Sequence, residues 1–216
     1  DPNSVRPAAL QIPDMFMNPG SLGKGTDWQD EVFRTAPIQN HQLSVSGGNE
    51  KTTFFLSGAY FKQDGIVMNT GFERYSARVN LDHHISKKVS VGINLSPSFA
   101  SNKLLPVEDQ VFTGGILGSA LSLPPTVPVY NPDGSFTTLL GPSPYNIGVI
   151  DNPVAIATKV QDKKTVFRNL GNIYAQVELL EGLKFRTSFG LDYSDGRQNS
   201  YYPSDLGANG VPAPVQ

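Results

Sequence analysis

Polar and apolar residues alternate with a period of two along six stretches of this chain, roughly 39–48, 51–62, 72–84, 88–100, 165–179 and 183–194. That period places successive side chains on opposite faces of a β-strand. In 72–84, Tyr75, Ala77, Val79 and Leu81 share one face, and Arg74, Ser76, Arg78, Asn80 and Asp82 share the other. The stretch 88–100 sets Val89, Val91, Ile93 and Leu95 against Ser90, Gly92, Asn94 and Ser96. The last sets Leu183, Phe185, Thr187, Phe189 and Leu191 against Lys184, Arg186, Ser188, Gly190 and Asp192. In the first, Leu43 and Val45 alternate with Gln42, Ser44 and Ser46. The second carries aromatics in both phases, and Phe54, Leu56, Gly58 and Tyr60 are the better candidates for its apolar face.

These runs reach about 10 residues, the length of a tilted membrane-crossing strand, whereas a globular strand has about 5–6. Tight connections at "GGNEK", "HHISKK" and "LLEG" alternate with longer ones, "KQDGIVMNTG" and then residues 101–164. Short turns on one rim and long loops on the other mark a membrane barrel. Aromatics (Tyr60, Phe61, Phe72, Tyr75, Phe99, Phe167 and Tyr193) gather at the long-loop ends, where an interfacial girdle belongs. The pattern predicts an all-β fold of antiparallel up-and-down strands forming part of a large transmembrane barrel. Leu43 and Val45 then face lipid, and Gln42, Ser44 and Ser46 an aqueous lumen. A soluble carbohydrate-binding β-sandwich and a small structural outer-membrane barrel are the alternatives. Six strands cannot close such a barrel, so the chain is expected to be a piece of something larger.

Composition adds exclusions. With 17 Lys plus Arg against 19 Asp plus Glu in 216 residues, there is no basic field for nucleic acid. Cysteine is absent, which removes disulfides and thiolate chemistry. The 21 glycines and 17 prolines call for many turns. No run of about 18 apolar residues offers a membrane helix, and the opening "DPNSVRPAAL" lacks the pattern of a signal peptide.

The stretches "GTDWQDEVFRTAPIQNHQLSVSGGNEKTTFFLSGAYFKQDGIV" and "GFERYSARVNLDHHISKKVSVGINLS" resemble the SusC/RagA family of TonB-dependent outer-membrane transporters. "YNPDGS", "DNPVA" and "GLKFRTSFGLDYSDGRQNSYYPS" are similar to later stretches of that family, in the same order, so the resemblance covers about 25–204. It implies a 22-stranded barrel closed by a plug in the bacterial cell outer membrane. Such a protein imports oligosaccharides, glycans or peptides with energy relayed by the TonB complex, capped by a SusD-like surface lipoprotein. This chain would be an early section of the barrel, with the TonB-contacting parts outside it. The implied organisation is an outer loop with a short capped helix (1–37), barrel strands one to four (38–100), a long extracellular loop (101–164), strands five and six (165–199) and the start of the next outer loop (200–216).

Candidate sites follow from the faces. Arg74, Arg78, Asp82, Asn94 and Arg186 fall on the predicted lumen side, where they would meet substrate or plug. Tyr130, Phe136 and Tyr145 are apolar anchors of the long loop for a partner or substrate. "TDWQ" suggests a capping box with Thr26 as N-cap and Gln29 three positions on. "VEDQVFTGGILGSALSL" suggests a helix with Val107, Val111, Gly114, Gly118 and Leu121 on one side and Glu108 and Asp109 in its first turn, and "NPDG" a β-turn. His83 and His84, as strand neighbours, point apart, so no metal site is expected, and Asp192, Asp195 and Gly196 lack calcium-loop spacing. No arrangement of Ser, His and Asp supports catalysis; neither an enzyme nor a cofactor is expected.

Overall fold

The computed structural model describes residues 4–7, 17, 20, 23–105, 115–137 and 150–206. Six strands follow one another as β1 (Ile38–Gly48), β2 (Thr52–Asp64), β3 (Gly71–His84), β4 (Val89–Lys103), β5 (Gln161–Leu180) and β6 (Leu183–Tyr201). Three short helices, α1 (Trp28–Val32), α2 (Ile116–Ser122) and α3 (Pro153–Lys159), lie outside them. The strands form one sheet in sequence order, β1-β2-β3-β4-β5-β6, and the first four pairings run antiparallel in unbroken order. This is an antiparallel up-and-down sheet, with neither Greek-key crossing nor a second sheet among the described residues.

Register explains the alternation. Val45 pairs with Leu56, Leu56 with Val79, and Val79 with Leu95, so the apolar residues of successive strands stack in rows on one face. Phe54, Leu81, Ile93 and Ile173 form the next such row. This face is uncovered: Leu43 is 81% and Phe189 72% exposed. In water, so large an apolar surface would be a liability; in lipid it is the required finish. The strands extend beyond the predicted ends. β4 continues to Lys103 and β5 begins at Gln161 because Lys103 pairs with Lys163 and Asn102 with Lys164. Those polar ends carry no hydrophobic alternation and were invisible to a period-two reading.

Pro97 sits inside β4, where a proline is unusual because it has no N–H for the ladder. The β3–β4 pairing is interrupted between Ser76↔Ser98 and Val79↔Leu95, while β4–β5 runs through Pro97↔Asn169. The missing donor is therefore on the β3 side.

The strands (35–104 and 161–200) and the remaining segments (1–34, 105–160 and 201–216) separate into two compact units. In the second unit α1, α2 and α3 pack on one another. The first five residues of helix α3 are apolar and all buried: Pro153, Val154, Ala155, Ile156 and Ala157. The α1 cap differs from the predicted capping box. Asp27, not Thr26, is the N-cap, its carboxylate accepting from the Gln29 and Asp30 N–H groups. Thr26 instead donates its backbone N–H to the Pro125 carbonyl at 2.8 Å. In the described part of α2, Ile116, Ser119 and Ala120 are buried, while Gly118 and Leu121 share the exposed side. The i, i+3, i+4 stripe is completed by buried Leu123. Val107, Glu108, Asp109, Val111 and Gly114 lie outside the described residues.

Candidate functional site

The polar face is built by the same pairing. Asp82 pairs with Gly92, and Gly92 with Tyr174. Because Gly92 has no side chain, the Tyr174 ring lies across it and its hydroxyl donates to the Asp82 carboxylate, two strands away. The Arg186 guanidinium stacks over that ring, 3.7 Å from its centroid. Two predicted site residues, Asp82 and Arg186, are thus joined through Tyr174 and Gly92, which sequence reasoning did not single out. Replacing Gly92 with alanine would put a methyl 2.6 Å from Tyr174 Cζ and 2.5 Å from Asp82 Oδ1. Such overpacking costs about 1–3 kcal/mol. We expect Gly92→Ala to lower the unfolding temperature of the full-length barrel, and to cost little further when introduced into a Tyr174→Ala background.

The other predicted residues are more dispersed. Arg74 lies opposite Phe61, its guanidinium 5.8 Å from that ring. Arg78 lies opposite Ser57 and has no ion pair among the described residues. Asn94 stands between Asn80 and Asn172, a ladder of three amides in one row. Further along the face Arg168 and Asp192 form a two-pronged ion pair, with contacts of 3.1 and 2.8 Å. His83 Nδ1 shares a hydrogen bond with Thr52 Oγ1 at 2.7 Å.

The aromatics divide between faces. Tyr60, Tyr75, Phe99 and Phe167 form one register row on the apolar face, extended by the Phe167–Tyr193 ring contact at 6.2 Å. Phe61 and Phe72 belong to the polar face, their rings 6.0 Å apart, because neighbouring strand residues alternate sides. Just beyond the aromatic row the apolar face turns polar, at Lys62, Glu73, Ser101 and Thr165.

In the loop unit, Tyr130 and Phe136 pair as an isolated β-bridge with ring centroids 5.1 Å apart. Between them "NPDG" makes the turn, closed by Gly134 N–H to Asn131 O at 2.9 Å, with Gly134 at φ +84°. Asp133 accepts from the Ser135 hydroxyl and N–H, which holds its carboxyl below the ordinary carboxylate range. Asn152 pins this hairpin to α3. Its Oδ1 caps the helix, accepting from Val154 and Ala155 N–H, while its Nδ2 donates to Val129 O at 2.9 Å. Lys159 lies over the Phe136 ring and pairs with Asp205, whose carboxyl it holds below the ordinary range. Trp28 donates its indole N–H to Pro124 O at 3.1 Å. A groove of about 850 Å³ runs between 24–31 and Leu121, Pro125, Pro128 and Tyr130. Tyr145 lies outside the described residues. Helix α3 escaped the sequence reading, although Asn152 before Pro153 is an N-cap followed by the favoured first helical residue.

No protein-family model matches the chain. Among curated proteins it is 35% identical over 187 residues to TonB-dependent receptor P3 of Formosa agariphila, covering 84% of this chain and 18% of that protein. It is 28% identical over 218 residues to TonB-dependent receptor SusC of Bacteroides thetaiotaomicron, covering 88% of this chain and 20% of that protein. The solved structure of the RagAB peptide importer in its open-open state shares the fold, with a TM-score of 0.65 at 24% identity over 82% of this chain and 20% of that one. The sheet is a fragment of a TonB-dependent barrel. The chain belongs to the SusC/RagA family of TonB-dependent receptors and spans about a fifth of the length of these relatives.

Proposed function

We propose that this chain forms six neighbouring strands in the wall of a transporter that carries oligosaccharides, glycans or peptides across the bacterial outer membrane. The apolar face meets lipid. The polar face, with Arg74, Arg78, Asp82, Asn94 and Arg186, lines the lumen and meets substrate or plug. Energy comes from the TonB complex through parts of the protein outside this chain. Residues 104–160 form an extracellular loop bearing Tyr130, Phe136 and Tyr145 toward a SusD-like lipoprotein or the substrate, and 1–37 and 202–216 belong to neighbouring outer loops.

One observation carries this reading: the exposed apolar face is continuous across strands and bounded. From Phe99 in the aromatic row to Val89 at the turn end, β4 advances roughly 33 Å at ~3.3 Å per residue. Tilted by about 45°, that is roughly 23 Å, close to the ~25 Å apolar band of outer-membrane barrels. The peptide-importer name of the structural relative and the SusC name of the sequence relative support import of polymeric nutrients.

Deleting 124–148 from the full-length protein tests the loop assignment. The barrel should stay in the membrane while uptake or lipoprotein association falls. Unchanged uptake and association would remove the loop from the function, and a full-length protein that folds without detergent would overturn the membrane reading itself.

A further inference from the structure

Beyond the aromatic row the apolar side of the sheet carries a row of cations. Lys103 and Lys163 are direct cross-strand partners, both exposed, four residues past Phe99 and Phe167 on the same face. The contacts of Phe167 with Tyr193, Arg168 with Asp192 and Asp162 with Gln198 share one offset, which sets Arg197 beside Lys163. Arg197 is 3.6 Å from Asp195, and Lys62 on the same face is 3.7 Å from Asp64. Lys103 and Lys163 have no carboxylate in ion-pair range among the described residues. Like charges placed directly opposite one another across a ladder repel. A strand spacing of about 4.8 Å lets two ammonium groups bracket a single anion and relieves that repulsion.

We propose that Lys103 and Lys163, flanked by Arg197, form a binding row for the phosphate groups of lipid headgroups in the outer leaflet. The inference rests on the membrane-barrel reading and goes beyond it. Two features select lipid phosphate. The row continues the lipid-facing surface, on the side opposite the lumen. It also lies about 13 Å along the strands from the aromatic row that marks the interface, which becomes roughly 9 Å along the membrane normal after tilting, the level of the headgroups. Lysine stems can lie along the apolar wall there and extend their ammonium groups into the headgroup layer.

The test uses the full-length protein purified from outer membranes in detergent and titrated with diphosphoryl lipid A, with bound lipid read by native mass spectrometry. Each lysine at a charged membrane surface contributes roughly fivefold in affinity, so Lys103→Gln with Lys163→Gln should weaken binding about 25-fold. Lys103→Arg with Lys163→Arg should retain it. Lys164→Gln, one residue away on the opposite face, should bind like wild type. Lipid A stripped of phosphate should bind weakly to every form. Equal binding by the double glutamine variant and wild type would overturn the proposal, as would equal binding of the stripped lipid. Competition by inorganic phosphate at the lipid's own concentration would overturn the assignment to lipid. Heat-modifiable migration of the same samples reports the barrel separately. A folded barrel with unchanged lipid binding defeats only this inference, whereas a wild-type protein that is not a membrane barrel defeats both.

Discussion

Val79→Arg in the full-length protein should sharply reduce the folded barrel recovered from the outer membrane, while Ser76→Arg should leave it near wild type. Val79 lies mid-band on the apolar face, paired with Leu56 on one side and Leu95 on the other. It lies four positions from Tyr75 in the aromatic row, about 13 Å along the strand, so an arginine there cannot reach the near interface without distorting the strand. A charge at the lipid midplane of a barrel costs about 2–4 kcal/mol. That is comparable with much of a domain's net stability. Ser76 is paired with Ala59 and Ser98 on the polar face, where another arginine would join Arg74 and Arg78 in water. The measurement is heat-modifiable migration of outer-membrane fractions. Equal recovery of the two variants would reverse the assignment of the faces.

The second large effect belongs to the loop unit. Asn152→Ala should open the 115–160 segment to limited proteolysis while the barrel stays intact. Asn152 is 4% exposed and does two jobs at once, capping α3 through Oδ1 and clamping Val129 through Nδ2. Loss of a cap costs about 0.5–2 kcal/mol. The Val129 carbonyl keeps the Thr137 N–H, so losing the Nδ2 bond costs about 0.5–1.5 kcal/mol more. Together these reach roughly 2 kcal/mol, enough to loosen a small unit whose core is Trp28, Val32, Ile116, Val127 and the apolar residues of α3. Asn152→Ser separates the two jobs: serine caps the helix but cannot reach Val129, so about half the loss should remain. Protection of 115–160 equal to wild type in the alanine variant would show that the hairpin is held by other means.

The sheet was largely legible in the sequence because a lipid-facing strand must be apolar at nearly every second residue, and the central parts of β3, β4 and β6 obey that rule with Thr187 of β6 as the exception. In β2 the two phases compete, since Phe55 and Phe61 are as apolar as Phe54 and Leu56. Only pairing with Leu43 and Val45 decides between them. The Asp82–Tyr174–Arg186 contact was not legible, because it depends on a register that brings residues 92 positions apart into one row over a glycine. The helices were read least well. α2 buries Ser119 and Ala120, small residues that carry little pattern, while the conspicuous Leu121 is exposed. At α1 Asp27 and Thr26 are both good caps by residue type. The choice falls to Asp27 because the Thr26 backbone is committed to Pro125.

The β4–β5 pairing has a consequence for how the wall assembles. The other neighbouring strands meet across a few residues, but β4 and β5 meet across 104–160. Closing so long a flexible loop costs roughly 2 kcal/mol more than closing a tight turn, since the entropy grows with the logarithm of length. The ladder nevertheless continues to the base of that loop, where Leu104 N–H donates to Asp162 O at 2.8 Å. Helices α2 and α3 and the hairpin clamped by Asn152 make contacts within this segment, so much of its ordering can precede strand pairing. Contacts formed early between α2, α3 and the hairpin shorten the flexible chain that pairing of β4 with β5 must close.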